Sequence, residues 1–165
     1  MQKRGKRGGF TLIELLVVMS IIGVLAGMGM MGIPMIMKQV KITKARNDIK
    51  SIEMALSMYK NDYGVYPNDA TPEQVSNDLT GYASDPETPD EKYKNDPEWK
   101  GPYLRTEPKQ HEYMQRNRAL VDPWGKKYQY RLNNPEKNKF GVDIWSPGPD
   151  GVDDKGEKDD VNNWR

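Results

Sequence analysis

From Phe10 to Met37 the chain carries no charge except a single carboxylate, Glu14. That run limits the possible folds more than any other feature of the sequence. As a tilted helix it is long enough to span the ~30 Å hydrocarbon core of a bilayer, whereas the core of a signal peptide is only about 7–15 residues. A carboxylate near the bilayer centre costs about 2.5–3.5 kcal/mol, so Glu14 needs a compensating role. Lys3, Arg4, Lys6 and Arg7 lie immediately before the run. A basic flank of this kind stays cytoplasmic and sends the bulk of the chain across the membrane. No small-residue cleavage site follows at a suitable place, so the segment reads as a retained helix.

The rest of the 165-residue chain is polar and rich in Pro, Gly, Asn and Asp, with room for one small, marginal core. A net charge of +1 gives no bulk electrostatic case for nucleic-acid binding. The lack of Cys removes disulfides, thiolate metal sites and Cys nucleophiles. The one histidine, His111, lies in a charged stretch and reads as a solvated loop residue rather than a ligand or a base. Catalysis therefore has little material, and the chain reads as no enzyme. An extracytoplasmic domain without disulfides needs some other staple, if it has one.

Gly8 and Gly9 stand between the basic cluster and Phe10. A cut after Gly9 would remove four cations, turn the net charge of +1 into −3, and leave Phe10 with a free amine. Within one helix that amine and Glu14 lie along the axis and meet poorly. Between neighbouring copies, the amine of one could meet Glu14 of the next. Both charges would then be neutralised in an apolar packing, and an unpaired carboxylate would penalise misregister. Glu14 would thus set the register of a helical homopolymer. The string KRGG followed by FTLIELLVV resembles the prepilin signal of type IV pilins and type II secretion pseudopilins. That resemblance implies a prepilin peptidase that cleaves after Gly9 and methylates Phe10.

Beyond Lys38, apolar residues at Ile42, Ala45, Ile49, Ile52, Leu56, Tyr59 and Tyr63 alternate in spacings of three and four. This is an amphipathic helical stripe, ended by Gly64 at the C′ position. The helix is expected from about residue 10 to 62, with a kink or local melting at Pro34, where Gly27, Gly29 and Gly32 precede it. Thr71-Pro72-Glu73-Gln74 has the form of a capping box and predicts a short helix over 72–80. Residues 84–98 read as an exposed loop, and WKGPYL at 99–104 as a return to the core. Asp122-Pro123-Trp124-Gly125 predicts a turn with a buried aromatic. Alternation in KKYQYRL, and again at Phe140, Val142 and Ile144, predicts two antiparallel strands packed on the amphipathic helix.

The series Tyr59, Tyr63-Gly64, Tyr66-Pro67, Gly101-Pro102-Tyr103-Leu104 and Asp122-Pro123-Trp124-Gly125 is similar to the major pseudopilins of type II secretion. The fold class expected is α+β: a long N-terminal helix, membrane-spanning then amphipathic, packed on a small antiparallel sheet, with a C-terminal calcium-binding loop. The segments expected are a cleaved leader at 1–9, a transmembrane and polymerisation helix at 10–37, and an amphipathic helix at 38–64. A variable loop region with a short helix follows at 65–127, then strands and calcium loop at 128–165.

Between Trp145 and Trp164 the chain is acidic and Gly-rich, without hydrophobic periodicity. On composition this is a solvated acidic tail. An aromatic anchor at each end instead suggests a loop folded around something, and hard oxygen donors at this density suit Ca²⁺. The spacing is not that of an EF-hand. The loop resembles the calcium loop of the major pseudopilins at Ser146-Pro147-Gly148-Pro149-Asp150-Gly151 and at Asp160-Val161-Asn162-Asn163-Trp164. The resemblance implies Asp150, Asp160 and the Pro147 carbonyl as ligands, with Ser146, Glu157 and Asp159 as further candidates. It also implies minor pseudopilins and an inner-membrane secretion platform as partners. The location implied is the bacterial inner membrane, single-pass, with the C-terminal domain periplasmic and assembled into a pseudopilus that helps drive protein export. A type IV or competence pilin is the alternative, and a membrane-anchored enzyme using the acidic loop a distant one.

Overall fold

The computed structural model describes residues 9–30, 33–69, 71–82, 90–105, 119–139 and 141–164. The chain divides into two compact units, Met1–Lys38 and Gln39–Arg165.

In the first unit, helix α1 spans Leu12–Met30. Its start is a capping box. The Thr11 hydroxyl accepts from the Glu14 N–H at 3.3 Å, and a Glu14 carboxylate oxygen accepts from the Thr11 N–H at 2.8 Å. The described side chains of α1 are all exposed, Leu12 and Ile13 among them. Among the described residues no helix is long and apolar enough to cross a membrane. The 19 residues of α1 cover roughly 28 Å.

Helix α2 spans Ile33–Tyr63. Pro34 is its second residue, where a missing N–H costs no helical hydrogen bond. The kink or local melting was expected at Pro34, which sits in the first turn of α2; residues 31 and 32 just before it lie outside the described residues.

From Gln39 onward, α2 presents the stripe read from the sequence. Ala45, Ile49, Ile52, Ala55 and Leu56 are buried, with Ile42 and Tyr59 packed beside them. Each fully buried aliphatic side chain contributes about 1.5–3 kcal/mol relative to exposure. The helix ends at Tyr63 because Gly64 takes a φ of 73° and returns its N–H to the Lys60 carbonyl at 2.8 Å.

The facing layer is a three-stranded antiparallel sheet in the order β1-β2-β3, with β1 at Gln129–Arg131, β2 at Asp143–Ser146 and β3 at Val161–Asn162. Two strands were expected; β3 is additional. It is two residues long, too short for periodicity to register. Tyr128, Tyr130, Leu132, Val142, Ile144 and Val161 meet the α2 stripe in the core. Strand β2 is central and buried on both faces, not alternating as expected. Its polar residues are satisfied in place. The Asp143 carboxylate accepts from the N–H groups of Glu136, Lys137 and Asn138 at 2.7, 3.0 and 2.7 Å. Phe140 lies outside the described residues.

Helix α3 covers Pro72–Thr80, the predicted span, with Thr71 accepting from the Gln74 N–H and Gly81 in the left-handed conformation at its end. Within the stretch expected to be an exposed loop, a short helix, α4, forms at Glu91–Lys94. Its Tyr93 is buried, donating to the buried Asp78 carboxylate at 2.8 Å. One aromatic with a buried acceptor therefore ties down a charged segment. Trp99 donates its indole N–H to the Asp78 carbonyl, and Tyr103 and Leu104 bond to the Leu79 carbonyl, so 99–104 does return to the core. Trp124 in the DPWG turn is half-buried rather than buried. His111 lies outside the described residues.

Candidate functional site

The loop from Pro147 to Asp160 connects β2 to β3. Its course requires glycine at two close approaches. A Cβ on Gly148 would lie 2.4 Å from the Asp159 carbonyl oxygen, and one on Gly156 would lie 2.1 Å from the Trp164 ring; both residues have positive φ. Trp145 and Trp164 meet edge to face at 6.2 Å between centroids, and the Trp145 indole donates to Asp153 at 2.8 Å. The two tryptophans of the sequence pattern thus clamp the base of the loop. Asn163 completes the closure. Its side chain accepts from the Ile144 N–H at 3.0 Å, donates to the Val142 carbonyl at 2.8 Å and reaches Glu53 on α2 at 3.1 Å.

Within this frame the carboxylates of Asp150, Asp154 and Asp159 each bring an oxygen to within 4.8 Å of the others. Three like charges at that separation repel one another unless a cation stands among them. One does so in part: the Lys158 ammonium pairs with Asp154 at 2.8 Å. The hydrogen bond to Asp154, then its charge, raise the Lys158 pKa. Asp160 is held from below. One oxygen accepts from the N–H groups of Gly156 and Asp154 at 2.7 and 3.1 Å. Burial pushes its carboxyl pKa up, the Gly156 and Asp154 N–H groups pull it back, and the charges of Asp153 and Asp154 push it up, with a net rise. The other Asp160 oxygen, and one of Asp154, are buried without a hydrogen-bond partner among the described residues.

The sequence-derived candidates therefore separate. Asp150 and Asp159 come together with Asp154, which the sequence reading did not name. The Asp153-Asp154 doublet in a Gly-flanked acidic loop was the available signal, and only the fold shows that Asp153 turns to Trp145 while Asp154 turns to the cluster. Asp160 is buried at 7% exposure and anchors the loop backbone. Pro147 is buried directly after β2. The Ser146 hydroxyl donates to Asp122 and accepts from the Gly148 N–H at 3.0 Å, fastening the loop to the DPWG turn. Glu157 pairs with Lys137 at 2.8 Å.

At the other end of the chain, Gly9 and Phe10 are exposed and Glu14 is engaged within its own chain. The Thr11 N–H and hydroxyl both donate to one carboxylate oxygen at 2.8 Å. The local cost of an acid in the apolar run is therefore reduced by capping.

Residues 35–164 match the family described as type II secretion system (T2SS), protein G, and residues 4–30 match the prokaryotic N-terminal methylation motif. The chain belongs to the type II secretion system protein G family. Among relatives in that family, the type II secretion system core protein G of Pseudomonas aeruginosa is 37% identical over 99% of both chains. That of Vibrio cholerae is 33% identical over 99% of this chain and 96% of its own. That of Escherichia coli K12 is 35% identical over 99% and 95%. The crystal structure of the major pseudopilin from the type 2 secretion system of enterohaemorrhagic Escherichia coli is similar over 77% of this chain and 85% of its own, at 28% identity and a TM-score of 0.44. The methylation-motif match runs through α1, and the protein G match runs through the acidic loop.

Proposed function

We propose that the chain is the major structural subunit of a type II secretion pseudopilus, processed after Gly9, methylated at Phe10 and polymerised through its N-terminal helix. The observation that carries this reading is α1: apolar, exposed at every described side chain, and carrying a methylation-motif N-terminus with one acid in its first turn. In this reading the apolar run from Phe10 to Met37 spans the inner membrane before assembly. The globular part faces the periplasm. In the fibre, helices of neighbouring copies pack on one another, and Glu14 exchanges its Thr11 donors for the Phe10 amine of a neighbour. The prepilin peptidase, minor pseudopilins and the inner-membrane platform are the partners this reading requires. N-terminal mass spectrometry of the protein from a secreting cell tests it. A methylated Phe10 start, with helical fibres on overexpression, is expected. An intact basic leader on a chain that stays monomeric at every concentration in lipid would overturn it.

The same reading places a resident Ca²⁺ in the acidic loop. The donors present fit such an ion: the clustered carboxylates of Asp150, Asp154 and Asp159, and one buried oxygen each on Asp154 and Asp160 without a hydrogen-bond partner among the described residues. Asp150, Asp154 and Asp159 would hold it, with Asp160 and the Pro147 carbonyl as further oxygen donors. When bound, the ion supplies charge neutralisation and a cross-link between loop and sheet. Its binding free energy becomes folding free energy for a domain without disulfides.

A further inference from the structure

Lys158 occupies an uncommon position. Its φ is 46°, in the left-handed region that favours glycine. The turn that places it there runs from the Asp154 carbonyl, bonded by the Glu157 N–H at 3.2 Å, to the Glu157 carbonyl, bonded by the Asp160 N–H at 2.9 Å. The result carries the ammonium back over the loop to Asp154 at 2.8 Å. Asp154 is one of the three clustered carboxylates, and its second oxygen is buried without a hydrogen-bond partner among the described residues. A single ammonium thus covers one oxygen of a cluster that has several, while the Lys158 side chain remains 74% exposed and able to swing out.

We propose that Lys158 is a tethered competitor for the divalent cation: its ammonium steadies the carboxylate cluster when no ion is bound, and must leave Asp154 when one binds. The inference rests on the calcium reading of the loop. Its consequence is that loading is an exchange of one cation for another. The lysine lowers the affinity of the site and, in return, limits the carboxylate repulsion that would loosen the ion-free loop. A unit charge about 5 Å from a divalent ion, at a dielectric near that of water, changes affinity roughly tenfold. Because the ammonium is exposed, salt screens the effect.

The test uses the full-length chain in detergent micelles. Calcium titration calorimetry and thermal melts, in chelator and in excess calcium, are run for the wild type, K158M, K158R and K155M. K158M is expected to bind calcium about tenfold more tightly at low ionic strength, with the gap narrowing as salt is added. K158R is expected to stay within about twofold of the wild type. K155M removes the same charge from the same loop and is expected to change affinity less than K158M does. In chelator K158M is expected to melt below the wild type, and in excess calcium the order reverses. In the wild type, acetylation of Lys158 by a soluble ester, read by mass spectrometry, is expected to quicken when calcium is added. Equal affinities with an unchanged order of melting, or a Lys158 acetylation rate indifferent to calcium, overturns the role of Lys158 while leaving the calcium site standing. Absence of calcium binding in every variant overturns both.

Discussion

Helix α1 and the helix–sheet layer beyond Gln39 solve opposite problems. The layer buries its apolar stripe against its own strands, so Ile49, Ile52 and Ile144 are almost fully enclosed. The described side chains of α1 are mostly apolar too, yet all of them are exposed. An exposed apolar surface of that extent marks an interaction site. The longer unit is built to fold and the shorter to associate, so a substitution in each should be felt in a different measurement.

The sharpest way to break that separation is Glu14→Ala. Fibre yield from cells is expected to fall tenfold or more, while membrane insertion, cleavage after Gly9 and the melting of the globular part stay as in the wild type. Normal fibres from this variant would show that the capping role of Glu14 is its whole role. The converse substitution is Ile52→Ala. It is expected to cost about 2–5 kcal/mol of folding stability, read by denaturant melts of the full chain in detergent. Calcium removal should come next. A chelator is expected to remove about 2.7 kcal/mol relative to calcium at a hundred times its dissociation constant, seen as a lowered melting temperature. Asp150→Ala should abolish that difference, and a melt indifferent to chelator in the wild type would dispose of the ion.

The smallest effect concerns Asp69. Burial raises its carboxyl pKa, but the Leu132 N–H at 2.6 Å and the donors of Asn133 outweigh this, and the net shift is downward. A carboxyl with a depressed folded pKa contributes stability that is present above its ordinary value of 3.8 and lost as pH falls through the lower folded value. Acid melts below that pH should therefore be shallower in Asp69→Asn than in the wild type. Identical acid profiles would mean that the tie between residue 69 and the end of β1 is immaterial.

Much of the layer was legible because periodicity reports it directly. The stripe from Ile42 to Tyr59, the capping residue Thr71, and Gly64 as the stop of α2 each follow from one local rule. What escaped was whatever depends on distant partners. Strand β3 exists because Val161 and Asn162 find Ser146 and Trp145 across a long loop, and nothing local announces it. Asp143 reads as a solvent-facing residue of an alternating strand, yet three backbone N–H groups from a neighbouring turn make its burial tolerable. Tyr93 sits in a segment that charge and proline mark as exposed, and only the buried Asp78 explains its place. In the acidic loop, composition supplies many carboxylates but does not say which of them meet. Selecting Asp154 over Asp153 required the course of the backbone, because adjacent residues face different neighbours. The Thr11–Glu14 pair is visible as a spacing of three, a local signal for a cap at the start of α1.

The clamp made by Asn163 has a kinetic consequence. It joins Glu53 to a residue 110 positions later, a separation that topology makes slow to close. Until residue 163 has been delivered, β2 lacks an edge partner and the helix lacks its tie. A chain emerging from a translocation channel would therefore carry its helix without a sheet for most of its passage, latching only when this late asparagine arrives.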